Sequence, residues 1–207
     1  IHRETITDDM AQIAKVVFDT LDKDFYLAGG TALALRLGHR KSVDLDYFIN
    51  KEIDTLKLKD EISRVFSSSE TLILFEEKNT LWCSINGVKV SFISRFDHLL
   101  EPADEIEHFR LAGMKDITLM KLSAICGREE YKDYFELACI ARITTPRSWV
   151  EWWAKLYPNV DCTSFVVALA YVDNVQALPL DVSDTYKDMD VSRIISQATE
   201  DITNYLR

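Results

Sequence analysis

Between residues 25 and 49 the chain leaves itself almost no slack. An apolar run, Phe25-Tyr26-Leu27-Ala28, stops at Gly29-Gly30. Thr31 then opens a stretch rich in Ala and Leu that closes at Gly38, and Val43-Asp44-Leu45-Asp46-Tyr47-Phe48-Ile49 follows. The pattern predicts a buried strand, a tight turn, a helix with glycine at its C-terminal stop, and a second strand. Side chains on a strand alternate, so Asp44 and Asp46 share one face while Val43, Leu45 and Tyr47 share the other. Two carboxylates so placed repel each other, and a divalent cation removes the conflict. Mg²⁺ commonly takes one or two carboxylates and completes its shell with water and phosphate oxygens. Taken alone, D-x-D describes a pair of solvated aspartates on an exposed edge just as well.

The glycine pair has the same two sides. Small residues at a strand-to-helix turn let a ligand approach the backbone, and the free N–H groups of the helix start favour a phosphate. A lone Gly-Gly-Thr is equally an ordinary tight turn. The unbroken order strand, Gly29-Gly30-Thr31, helix, His39-Arg40-x-Ser42-x-Asp44-x-Asp46 is far more specific. It places a phosphate cradle and a metal pair at the ends of adjacent strands. Arg40 reads as a phosphate holder, as a surface charge, or as an orienter of the carboxylates.

Around this centre, Met10, Ile13, Val16, Val17 and Leu21 fall at helical spacing, which predicts a helix over 8–21. Leu56–Phe66 reads as another. Strands are expected over 71–75, 81–85 and 88–93, with Asn86-Gly87 as a two-residue hairpin turn between the last two. From Asp116 onward the pattern is helical, over 116–126, 132–142, 147–156, 162–172 and 190–206. Asp116 and Pro146 stand where helix starts are expected, and 174–189 reads as a loop. The predicted architecture is therefore α/β (α+β) over 1–110, followed by a helical region over 111–207.

The net charge is −10, from 24 basic and 34 acidic residues, and half of that excess lies in 161–207. Such a balance disfavours a protein that coats nucleic acid or an anionic membrane, yet it leaves room for a local phosphate site. Cys83, Cys126, Cys139 and Cys162 are scattered, with no C-x-x-C pair, and no long apolar run suggests a membrane span. A cytoplasmic protein with reduced thiols is expected. Trp149, Trp152 and Trp153 read as helix-packing core.

The block Tyr26–Leu35 through Gly38-His39-Arg40-Lys41-Ser42-Val43-Asp44-Leu45-Asp46-Tyr47-Phe48 resembles the polymerase-β-like nucleotidyltransferase superfamily. More closely it resembles the AbiEii branch, toxins of type IV toxin–antitoxin and abortive-infection systems. A second block, Met120–Arg128 with Lys132-Asp133-Tyr134-Phe135-Glu136-Leu137, extends the resemblance. The resemblance implies a mixed sheet with flanking helices and a helical C-terminal region. It implies Mg²⁺ on Asp44 and Asp46, with Gly29, Gly30, Thr31, Arg40 and Ser42 around the nucleotide. It also implies a nucleotide contact from Lys121 and a catalytic role, as base, for Asp133. By spacing alone, Lys121, Arg128, Asp133 and Glu136 describe ion pairing on helix surfaces. The family's second acidic pair is usually D-x-x-D, and Glu136 takes the last place here.

One departure stands out. Many polymerase-β-like enzymes carry a third carboxylate on a later strand. The candidate strand, Val88–Ile93, offers only Lys89 and Ser91 on the face opposite Val88, Val90 and Phe92. The strand thus departs from the usual two-metal arrangement. The expected activity is transfer of a nucleoside monophosphate from an NTP to a tRNA end or a protein side chain, with growth inhibition as outcome and a cognate antitoxin as partner. The alternatives are an antibiotic-type nucleotidyltransferase with a cationic small-molecule acceptor, and a catalytically degenerate nucleotide-binding module.

Overall fold

A computed structural model describes residues 1–207 as two compact units, Ile1–Gly113 and Met114–Arg207. The first unit runs α1 (Asp8–Thr20), β1 (Tyr26–Leu27), α2 (Gly29–Leu37), β2 (Asp44–Ile49), α3 (Thr55–Val65), β3 (Thr71–Glu77), β4 (Thr80–Ile85), β5 (Val88–Ser94), β6 (Asp104–Ile106) and β7 (Phe109–Leu111). Its seven strands form one mixed sheet in the order β3-β4-β5-β2-β1-β7-β6. β2 lies parallel to β5 and antiparallel to β1, while β1 lies parallel to β7.

The period-2 pattern of β2 is realised as predicted: Leu45, Tyr47 and Ile49 are buried, and Asp44, Asp46 and Phe48 are half-buried on the other face. The buried face continues through Val90 and Phe92 of β5 and through Leu81, Cys83 and Ile85 of β4. Phe92 stacks on Tyr47 and meets Phe25 edge-on. α1 adds Met10, Ile13, Ala14 and Val17 to the core, and its first turn is capped by the Thr7 hydroxyl, which accepts from Met10 N at 3.2 Å. Asp54 caps α3 in the same way.

Asn86 and Gly87 both adopt positive φ, 49° and 81°, the signature of a type I′ turn. That turn fixes the register of the β4–β5 hairpin, and β5 in turn sets what stands beside β2. α2 starts at Gly29, two residues earlier than the composition suggests, and Gly29 itself has a φ of +66°.

Strands β6 and β7 are additions to the expected fold. Each has three residues, and Arg110 hides the second from any hydropathy reading. Its guanidinium is nevertheless nearly buried, held by Glu105 at 2.9 Å and the Phe18 carbonyl at 2.9 Å, and it lies over the Phe18 ring.

The second unit consists of α4 (Met114–Gly127), α5 (Tyr131–Ala141), α6 (Pro146–Leu156), α7 (Thr163–Ala170) and α8 (Val191–Leu206). α5 is buried continuously from Asp133 to Ile140 and packs on α4 and α8. Trp149 and Trp153 are buried, as expected of core residues, whereas Trp152 is only half-buried; the Trp149 indole N–H donates to Thr144. All four cysteines are free thiols; burial pushes that of Cys83 up to about 12. No helix is long and apolar enough to cross a membrane.

Candidate active site

In the first unit the sheet brings the Gly29 turn and the two aspartates together. Ala28 N donates to the Asp46 carbonyl at 3.0 Å, tying the turn to β2. A Cβ placed on Gly29 would lie 3.2 Å from Asp46 Oδ2. The carboxylate therefore faces the first turn of α2, a helix whose start carries no side-chain cap. Uncapped amides at a helix start have the chemistry to receive a phosphate oxygen, and a carboxylate beside them that to hold a cation.

Thr31 and Ser42 take different parts from Gly29. Thr31 is buried, its hydroxyl lying 2.7 Å from that of Ser42 and donating to the Asp44 carbonyl. The pair pins the start of β2 to α2 and so positions Asp44. Arg40 donates to the Lys41 carbonyl at 2.7 Å.

The place opposite Asp46 on β5 belongs to Ser91, and the place opposite Asp44 to Lys89. Ser91 is buried and its hydroxyl donates to Asp46 Oδ1. Ser91 is thus a donor that fixes the orientation of the Asp46 carboxylate. Spacing along the strand does not show which residue Ser91 faces. The cross-strand register was the missing information.

Asp44 and Asp46, with one hydroxyl donor and no cationic side chain paired to either, suit a hard divalent cation such as Mg²⁺. No group of three or more His, Cys, Asp or Glu converges on one point. The donor set therefore leaves several positions of a six-coordinate ion to water and substrate.

In the second unit a different cluster forms. Lys121 Nζ donates to Asp133 Oδ1 at 2.8 Å and contacts Glu136 Oε2. Arg128 Nε and Nη2 reach Asp133 at 2.7 and 3.1 Å. Arg128 lies just beyond the end of α4, not on it. Lys121, Asp133 and Glu136 are all buried, so the pairing lies inside the helical unit rather than on helix surfaces. Burial pulls the Lys121 pKa down, but Glu136 and Asp133 outweigh it and hold the ammonium above its ordinary value. Two cations balance two anions, which is what lets such charges stay inside.

Gly29→Ala is expected to cost about 1–2 kcal/mol, because an L side chain disfavours the left-handed backbone. It should also push the Asp46 carboxylate away. Chemical denaturation checks the first effect and a Mg²⁺ titration the second. Unchanged metal affinity would remove Gly29 from the site.

Known proteins share the sequence pattern and the fold of this chain. The pattern of the family described as "Nucleotidyl transferase AbiEii toxin, Type IV TA system" matches residues 13–151. An uncharacterized protein of Aquifex aeolicus (strain VF5), aq_aa25, is 32% identical over 187 residues, covering 86% of this chain and 85% of that one. Two solved Helicobacter pylori structures, one of them JHP933, are each 19% identical with a TM-score of 0.57. The matches cover 94% and 98% of this chain and 90% and 89% of theirs. The mixed α/β nucleotidyltransferase fold implied by the resemblance is the fold this chain has.

Proposed function

From a chain that belongs to the AbiEii nucleotidyltransferase toxin family of type IV toxin–antitoxin systems, we infer a transferase that moves a nucleoside monophosphate from an NTP to an RNA or protein acceptor. The observation that carries this reading is the pair Asp44 and Asp46 on one face of β2, with Asp46 turned toward the Gly29 start of α2. In the reaction an acceptor hydroxyl oxygen bonds to the α-phosphorus. The bond from that phosphorus to the bridging oxygen breaks, and pyrophosphate leaves.

Asp44 and Asp46 would hold Mg²⁺, which supplies charge neutralisation at the phosphates. The backbone N–H groups of Gly29, Gly30 and Thr31 would receive phosphate oxygens, and the family resemblance assigns Arg40 to the nucleotide as well. Ser91 would keep Asp46 aimed, and Thr31 with Ser42 would keep Asp44 in place. By the family resemblance Asp133 is assigned the proton of the acceptor hydroxyl and Lys121 a nucleotide contact, while within the helical unit the two are buried and paired with each other. What supports that assignment is the family resemblance alone. A toxin role, relieved by a cognate antitoxin in the cytoplasm, completes the reading.

The test is transfer from α-labelled and γ-labelled NTP to total RNA and to lysate protein. The α label is expected to become macromolecular while the γ label leaves as pyrophosphate. Label moving only to cationic antibiotics would support the small-molecule alternative. NTP binding without any transfer would support the degenerate one.

A further inference from the structure

The sheet face that carries Asp44 and Asp46 continues past them, away from the Gly29 turn. The strand order is β4-β5-β2-β1, so the phosphate cradle lies on the β1 side of the carboxylates and β5 and β4 lie on the other. Register places Asp46, Ser91, Trp82 and Phe75 in one row, and Asp44, Lys89 and Ser84 in the next. Residues paired in this way point to the same face.

Three features of this region call for a ligand. Lys89 stands opposite Asp44, yet its ammonium pairs with no carboxylate and lies instead 4.6 Å over the Trp82 ring. Trp82 and Lys89 are half-buried and Phe75 is exposed, with the Phe75 and Trp82 rings 4.9 Å apart. The Trp82 indole N–H is buried and finds no acceptor in the chain, an uncommon state for a native donor. An aromatic surface topped by an uncommitted cation suits a ligand that offers a planar ring and an anion side by side.

We propose that Lys89 and Trp82 form the acceptor subsite of this face, binding the phosphate and the base of an RNA end whose hydroxyl is delivered to the Asp44–Asp46 centre. This rests on the nucleotidyltransferase reading and specifies its acceptor. An incoming phosphate gives Lys89 the anionic partner it lacks. As the flexible side chain moves onto it, the Trp82 face opens to the neighbouring base. A cationic antibiotic would meet Lys89 as a like charge, and a protein side chain would bring neither phosphate nor base.

Two measurements test this. The first is fluorescence anisotropy of a labelled eight-nucleotide single-stranded RNA with the intact protein. Lys89→Glu and Trp82→Leu are each expected to weaken binding roughly tenfold or more. Lys89→Arg should retain affinity, and loss of the cation should reduce the salt slope by about 1. The second is transfer kinetics, in which the same variants should raise KM for the RNA acceptor and leave KM for NTP in place. Trp82→Phe serves where Trp82→Leu unfolds.

The subsite is overturned if the wild type does not bind the RNA. It is equally overturned if Lys89→Glu matches wild type, or if the effect falls on the NTP instead. A wild type that labels only protein, with Lys89→Glu unaffected, overturns the subsite and leaves the transferase standing. A wild type that labels nothing, but binds RNA through Lys89 and Trp82, overturns the transferase and leaves the subsite.

Discussion

Asp46→Asn is expected to reduce NMP transfer by at least about 10³-fold, the scale on which one removed charge-stabilising group acts in such a site. The substitution keeps an oxygen that can accept from Ser91, so the strand pairing around it should survive. It also removes one of two like charges on the same face of β2. Thermal stability measured without divalent metal should therefore stay level or rise, because repulsion between the aspartates is relieved. Falling activity with unchanged or higher stability is the signature of a residue kept for chemistry. If Asp46→Asn transferred label at the wild-type rate, Asp46 would not be in the site. A parallel fall in stability would mean that the carboxylate is part of the scaffold.

Lys121→Met should act in the opposite sense, mainly on stability. It leaves the Asp133 and Glu136 carboxylates buried with one cation between them. Breaking a buried pair in this way costs about 3–5 kcal/mol, which for a chain of this size lowers Tm by roughly 10 °C. The double variant Lys121→Met/Glu136→Gln restores the balance of one cation and one anion and should recover part of the loss. Equal stability of the single and double variants would show that charge balance is not what holds the cluster.

The pH dependence follows from the raised pKa of Lys121. A lysine whose folded pKa lies above its unfolded value contributes fully below the unfolded value and loses that contribution as pH rises through the folded one. The gap between wild type and Lys121→Met should therefore hold up to about pH 10.5 and narrow only above it. Denaturant titrations at several alkaline pH values check this.

The parts of the site that follow from local pattern were legible in the sequence. Asp44 and Asp46 share a face because strands have period 2, and Gly29 marks a turn because few other residues enter a helix at positive φ. The parts that depend on which strands are neighbours were not. Ser91 reads as a poor substitute for an acid until β5 is set parallel to β2, and then it is the donor that aims Asp46. Lys89 and Trp82 are seven residues apart in sequence and mean little until the hairpin places one over the other. Lys121, Asp133 and Glu136 look like surface pairs by spacing, because nothing in a three- or four-residue interval reveals that α5 is buried almost throughout. β7 escaped because its middle residue is an arginine whose charge is met by Glu105 and a backbone carbonyl.

The Asn86-Gly87 turn touches neither phosphate cradle nor carboxylate, and nothing lies within 4 Å of where a Gly87 side chain would start. Yet it sets the phase of β5. A single-residue slip there would send Lys89 and Ser91 into the core and bring Val90 and Phe92 out beside the aspartates. The acidic pair would then stand without its aiming hydroxyl, against a greasy wall. These two solvent-facing residues thus act as a vernier for the whole face that carries Asp44 and Asp46. A change with ample room for itself at that distant corner can turn Ser91 away from Asp46 without altering either side chain.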